Sequence, residues 1–193
     1  MLTMDQWFRK LLLTDTQGAA KALLGMELYL GDEKLGRIVE TEAYLGAFDS
    51  ACHSAQGRRT PKNESMYLEA GHWYVYQIHG HNMLNLVTRE KEVPEAVLIR
   101  ALETPDGLPE GNGPGKLTRL FGITRAWDGQ DSENCALHLR PSLKPKKIAS
   151  RARIGVTCTD LWREAPLCFY VAGNQHVSRI RKRGLVPDQE TWR

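Results

Sequence analysis

The stretch RIVETEAYLG, Arg37 to Gly46, sets two carboxylates and a tyrosine at i, i+2, i+4 spacing. On an extended strand, side chains two apart share a face, so Glu40, Glu42 and Tyr44 stand together while Val39, Thr41 and Ala43 take the other side. The second set is small or β-branched and suits burial against a core. The acidic face is then the one turned to solvent or into a cleft. Spacing alone leaves both readings open: a solvated charged face, or a strand that delivers acids and an aromatic ring to chemistry.

Outward from this strand, Met26 to Leu30 and Leu35 to Tyr44 flank Gly31-Asp32-Glu33-Lys34 and predict a hairpin. Residues from about Thr3 to Leu24 carry apolar side chains on a 3.6-residue period, with Gly18 as a candidate break, and predict an amphipathic helix pair packed on a sheet. His72 to Ile78 (HWYVYQI) and Met83 to Val87 (MLNLV) flank His79-Gly80-His81-Asn82, which predicts a second hairpin with an exposed tip. Val97 to Leu102 is a buried strand carrying one charge, Arg100. The Pro- and Gly-rich run from Thr104 to Gly115 is a loop, Lys116 to Phe121 a helix, and Leu167 to Val171 a last strand. The residues from Gly184 to Arg193 are expected to fray.

At 193 residues the chain suits one domain with one core. No apolar run is long enough to span a membrane. The N-terminus has Asp5 ahead of its short apolar stretch and no small-residue cleavage site, so it does not read as a secretory signal and a cytoplasmic location is expected. Cys52, Cys135, Cys158 and Cys168 include no C-x-x-C pair, which argues for reduced structural thiols over a zinc site. Residues 1–112 hold 11 Lys+Arg against 16 Asp+Glu, whereas residues 113–193 hold 15 against 7. Within the basic part, Lys144, Lys146, Lys147, Arg151 and Arg153 form one cluster, and Arg179, Arg181, Lys182 and Arg183 another. Each suits either a phosphate-binding surface or an ordinary solvated face.

Four elements could carry chemistry. A general base needs a carboxylate held near the water that it activates, and Glu42 is central in the acidic strand with Glu40 roughly 6–7 Å away. A like charge or partial burial would raise the pKa of one acid toward neutrality. The loop His53 to Asn63 adds His53 and three cations, Arg58, Arg59 and Lys62, suited to phosphates unless it is a flexible basic loop. Tyr74 and Tyr76 share a strand face that could stack on nucleobases or pack within the sheet. Gly113-Pro114-Gly115-Lys116 opens a helix and could meet an anion, or be an ordinary turn.

Together these features resemble the alkylpurine (3-methyladenine) DNA glycosylase family. The resemblance rests on RIVETEAYLG followed by Asp49, His53 and Ser54, then RRTPKN at 58–63, Tyr74 to Tyr76, VLIRALE at 97–103 and GPGKLT at 113–118. It implies a single α+β domain over residues 1–193, with a curved, mostly antiparallel sheet, surrounding helices and a protruding β-hairpin that inserts into DNA. It implies a monofunctional enzyme that flips alkylated or deaminated purines out of duplex DNA and hydrolyses the N-glycosidic bond. Glu42 matches the base that activates the water, and Arg100 the arginine that helps place it. Tyr44, His53 and Tyr76 match the residues that line the pocket and stack on the base, and Asn85 the asparagine that crowds the exocyclic amino group of guanine. Arg58, Arg59, Lys62 and Lys116 fall to the DNA backbone. The implied partner is double-stranded DNA containing damaged purines, with no cofactor, metal or membrane, and the protein is expected to be a monomer, nucleoid-associated in a bacterium.

The chain departs from the family at the hairpin tip. Members place a tyrosine wedge, followed by Gly-Met-Tyr, where this chain has His79-Gly80-His81-Asn82 and is one residue shorter before Asn85. Intercalation then falls to His79, which offers less surface. Other readings remain: a damage-binding protein without turnover, a metal hydrolase using His72, His79 and His81, and a glycoside hydrolase using Glu40 and Glu42.

Overall fold

The computed structural model describes residues 4–107 and 109–193, so Thr3, the expected start of the first helix, and Leu108 of the long loop lie outside the described residues. Helices α1 (Met4–Thr14) and α2 (Thr16–Leu23) form the expected pair. The break falls at Asp15, not Gly18, because the Asp15 carboxylate accepts from the Gly18 amide and caps α2. Strands β1 (Glu27–Leu30) and β2 (Glu33–Tyr44) follow, then β3 (Trp73–Ile78), β4 (His81–Thr88) and β5 (Glu95–Glu103). Helix α3 (Pro114–Leu120) and strands β6 (Leu137–Arg140), β7 (Ile148–Arg151) and β8 (Cys168–Val171) complete the fold.

The strands make one antiparallel sheet in the order β3-β4-β5-β2-β1-β6, with β8 joining β2 to β7. The α+β architecture is as expected. The four-residue strands β6 and β7 were not anticipated, being too short to show an alternating pattern.

The twelve residues of β2 explain where the acids sit. Its first half pairs with β1, its second half with β8, and β5 runs along its other edge. Glu40 and Glu42 therefore have neighbours on both sides and are fully buried. On the opposite face Thr41 donates its hydroxyl to the Ala20 carbonyl of α2 at 2.8 Å, and Val39 and Ala43 join the main core with Leu23, Ile38, Trp73 and Ile99.

The β3–β4 hairpin is tighter than expected. Its strands pair as far as Ile78 opposite His81, which leaves a two-residue turn of His79 and Gly80 with φ of 48° and 77°. Two successive left-handed residues make the primed turn that matches strand twist, and Gly80 adopts it without a Cβ penalty. Its base is braced from one side. Thr118 of α3 donates to the Asn82 carbonyl at 2.8 Å, and Asn82 donates to the Ile123 carbonyl at 3.1 Å.

The C-terminal residues do not fray along their whole length. Trp192 is buried and bridges to Pro145, its indole donates to Glu103 at 3.0 Å, and the Arg37 guanidinium lies 5.0 Å from its ring centre. The Arg193 amide donates to the Lys144 carbonyl at 2.9 Å. A terminal tryptophan with an apolar site and a hydrogen-bond acceptor holds the last residues down. No helix among the described residues is long and apolar enough to cross a membrane.

Candidate active site

The second half of β2, the loop after it, β3 and the segment after β7 converge on a cleft of about 590 Å³. Its lining includes Tyr44, His53, Tyr74, Tyr76, Asn85 and the Gly155 to Thr157 segment, with Ile78 and His79 at the hairpin end. That volume is ordinary for a small-molecule or base pocket.

Three rings form one aromatic group. His53 Nδ1 and the Tyr74 hydroxyl are 2.8 Å apart, the His53 and Tyr76 rings meet edge to face at 4.3 Å, and the Tyr74 and Tyr76 centres are 5.4 Å apart. His53 is open to solvent on one side, yet its packed surroundings and the nearby Arg58 push its pKa down. Burial pushes the Tyr74 and Tyr76 hydroxyls well up, so they remain protonated at neutral pH. Asn85 is buried beside them, with Nδ2 donating to the Tyr74 and Met83 carbonyls at 3.1 Å each. Both amide hydrogens are thereby committed, and Oδ1 is its remaining polar atom.

Glu42 sits behind Tyr44. Its Oε1 accepts from the Ile154 amide at 2.7 Å and lies 3.3 Å from Arg100 Nη1, and its Oε2 accepts from the Tyr44 hydroxyl at 2.9 Å. Burial pushes the carboxyl pKa up, while Arg100, the Ile154 amide and the Tyr44 hydroxyl favour the anion. Glu40 is engaged differently. Arg151 Nη2 donates to its Oε1 at 2.5 Å, the Ser178 amide donates to its Oε2 at 3.0 Å, and Arg100 Nε is 3.6 Å away. Arg100 thus spans both acids, but Glu40 is absorbed in a buried ion cluster. The two acids thus have different partners, and they do not face each other across the cleft as a pair flanking a sugar would.

The predicted cations divide. Arg58 and Lys62 are exposed and line a second groove of about 340 Å³ that shares His53, Tyr74, Tyr76 and Ile78 with the cleft. Lys116 is exposed on α3, donating to Asn112 at 2.9 Å. Arg59 is turned elsewhere: it donates to Glu64 and Glu92 at 2.6 and 2.5 Å and lies 4.3 Å from the Tyr67 ring centre, so two carboxylates already compensate it. Arg151 and Arg153 are likewise already paired, both held by buried acids, and Arg153 is wholly shielded from solvent. The three histidines considered as metal ligands do not converge. His72 and His79 stand at opposite ends of β3, roughly 20 Å apart, and His81 Nδ1 is 3.1 Å from Arg119 Nη2.

Sequence reasoning gave no role to Ile78, Arg125, Asp49 or Ile154, and placed Arg153 in a basic cluster rather than in a buried ion pair. Ile78 continues the Tyr74, Tyr76 alternation and was legible on that ground; it is 41% exposed at the cleft mouth. Arg125 lines the second groove from the short turn after α3. Asp49 and Arg153 form an ion pair across 104 positions, for which the sequence carries no local signal.

A model of the family described as Methylpurine-DNA glycosylase (MPG) matches residues 10–175 of the chain. A protein of Staphylococcus epidermidis named "Putative 3-methyladenine DNA glycosylase" is 40% identical over 92% of this chain and 95% of its own length. A protein of Staphylococcus haemolyticus with the same name is 41% identical over 92% of this chain and 96% of its own.

Proposed function

The chain belongs to the methylpurine-DNA glycosylase family, and from that premise we propose that it is a monofunctional glycosylase that removes alkylated or deaminated purines from duplex DNA with a water activated by Glu42. The observation that carries this reading is Glu42 itself, a fully buried carboxyl held by Arg100, Ile154 and Tyr44 behind an aromatic cleft.

The target purine leaves the stack and enters the cleft, where Tyr44, His53 and Tyr76 supply stacking surface worth about 1–3 kcal/mol per contact. Asn85 crowds the exocyclic amino group that normal guanine would bring. Glu42 takes a proton from a water as its oxygen bonds to the anomeric carbon, and the electrons of the N-glycosidic bond leave with the base. A purine alkylated on a ring nitrogen is cationic and departs neutral, so one carboxylate suffices and no lysine nucleophile enters. Arg100 keeps Glu42 ionised beside the water. The nucleotide's flipping costs a few kcal/mol, which the hairpin tip offsets by inserting His79, with the exposed Ile78 adding apolar area. Arg58, Lys62 and Lys116 bind the backbone, and Arg59 would do so only by giving up its bridges to Glu64 and Glu92.

Incubation with duplexes containing hypoxanthine, ethenoadenine or 3-methyladenine, followed by alkaline cleavage, reads the abasic product. Wild type should cut at least one lesion, and Glu42→Gln should cut none. Absence of product from all three with wild type would leave a damage binder without turnover.

A further inference from the structure

We propose that the buried Asp49–Arg153 ion pair is the positioning device for Glu42, fixing at once the end of β2, the Tyr44 ring and the Ile154 amide. This rests on the reading of Glu42 as the general base. Both side chains of the pair are wholly shielded from solvent. Arg153 Nη1 donates to Asp49 Oδ2 at 2.5 Å and to the Ala43 carbonyl at 3.0 Å, while Nη2 donates to Asp49 Oδ1 at 2.8 Å and the Trp162 carbonyl at 3.4 Å. Its guanidinium carbon lies 4.7 Å from the centre of the Tyr44 ring. Asp49 in turn accepts from the Leu45 and Ala51 amides at 3.0 Å each. The residues on either side of Tyr44 are therefore both tied to this one pair.

Two consequences reach the acid. The Tyr44 hydroxyl, on a ring fixed from beneath by Arg153, donates to Glu42 Oε2. Ile154, the next residue after Arg153, donates its amide to Glu42 Oε1, and the residues after it, Gly155 to Thr157, wall the cleft. A fork that ties the end of β2 to the segment after β7 thus sets two of the three contacts to the carboxylate.

Stability alone does not account for the pair. A buried ion pair is often no more stabilising than apolar residues of the same volume, and here Arg153 Nε is buried with no hydrogen-bond partner among the described residues. What an apolar replacement could not supply is the two-pronged connection between segments more than a hundred residues apart.

The test uses the full chain in two forms, Arg153→Lys and the double variant Asp49→Asn/Arg153→Met, which leaves no buried charge orphaned if the single variant fails to fold. Single-turnover excision, its pH profile, and binding to a duplex carrying a tetrahydrofuran abasic analogue are measured for each variant that melts cooperatively. The groups facing Glu42 are Glu40 and Tyr44 on β2, Tyr76 on β3, Arg100 on β5, Arg153, and Cys168 on β8. The double variant removes the Arg153 cation together with the Asp49 anion bonded to it, so the net charge near Glu42 is unchanged, and what it alters is the hold on the Ile154 amide and the Tyr44 hydroxyl. The expected result is a rate loss on the order of 10²-fold, an abasic-analogue affinity within about threefold of wild type, and an acid limb moved to higher pH because the anion has lost support. An unchanged rate and profile overturns the proposal. So does a rate that falls only in parallel with affinity while the acid limb stays in place, the mark of a merely structural role. A wild type that makes no abasic product fails the glycosylase reading instead, before any variant is compared.

Discussion

Glu42 meets two opposed demands. Proton transfer is most efficient when the base has a pKa near neutrality, yet the base must be ionised to work. Burial raises its pKa, and Arg100, the Ile154 amide and the Tyr44 hydroxyl limit the rise. The sign for stability follows from linkage. A carboxyl whose folded pKa exceeds its unfolded value of about 4.3 stabilises the fold fully below that value and loses that contribution as pH rises through the folded pKa. Glu42→Gln removes the loss, so at pH 7.5 its melting temperature should exceed that of wild type. At pH 4 the gap should close, and a gap that widens toward acid would contradict the raised pKa. The i, i+2 spacing put Glu40 and Glu42 on one face, but their division of labour comes from Arg151 and Ser178 on one acid and Ile154 on the other, all more than a hundred residues downstream. Spacing cannot report partners at that distance.

At the scale of elements, the strands that pair in alternating sequence were readable and the hairpin tip was not. Tyr74, Val75 and Tyr76 announced β3, whereas His79-Gly80-His81-Asn82 looked like a four-residue loop because His81 and Asn82 carry no strand pattern. They pair because α3 receives them. Gly115 lies so close to β4 that a Cβ there would come within 2.8 Å of the His81 Cβ. Gly115→Ala should therefore push α3 off the hairpin and cost about 1–3 kcal/mol as an overpacking substitution, read by thermal melting. The loss should be accompanied by a smaller flipped fraction of ethenoadenine, followed by its fluorescence. The wedge makes a second prediction at this scale. An aromatic ring larger than imidazole adds stacking area worth on the order of 1 kcal/mol, so His79→Tyr should raise the flipped fraction several-fold. Unchanged flipping would remove His79 from the wedge and leave Ile78, its exposed neighbour.

Across the whole molecule, the excess of bases in residues 113–193 does not by itself locate a DNA-binding face, because arginines of both parts of the chain, Arg151 and Arg153 of the basic part among them, are already paired with carboxylates. Arg100, Arg151 and Arg153 neutralise buried acids, Arg37 lies between Glu27 and Glu103, and Arg59 between Glu64 and Glu92. What remains near the cleft is local. Arg58, Lys62 and Arg125 line the second groove, where among the described residues no lining side chain is acidic, and Lys116 stands on the helix that braces the hairpin. Net charge therefore misleads where position informs, and the difference is measurable. Each cation that neutralises a phosphate releases counterions, so its removal should flatten the plot of log affinity against log salt by about 0.9 for duplex DNA. Arg58→Ala, Lys62→Ala, Lys116→Ala and Arg125→Ala should each do so while weakening lesion and normal duplexes alike. Arg59→Ala should leave the slope as in wild type, since its charge is already met by two carboxylates. A slope lowered by Arg59→Ala as much as by Arg58→Ala would mean that those bridges open on DNA and that the backbone path runs past Tyr67.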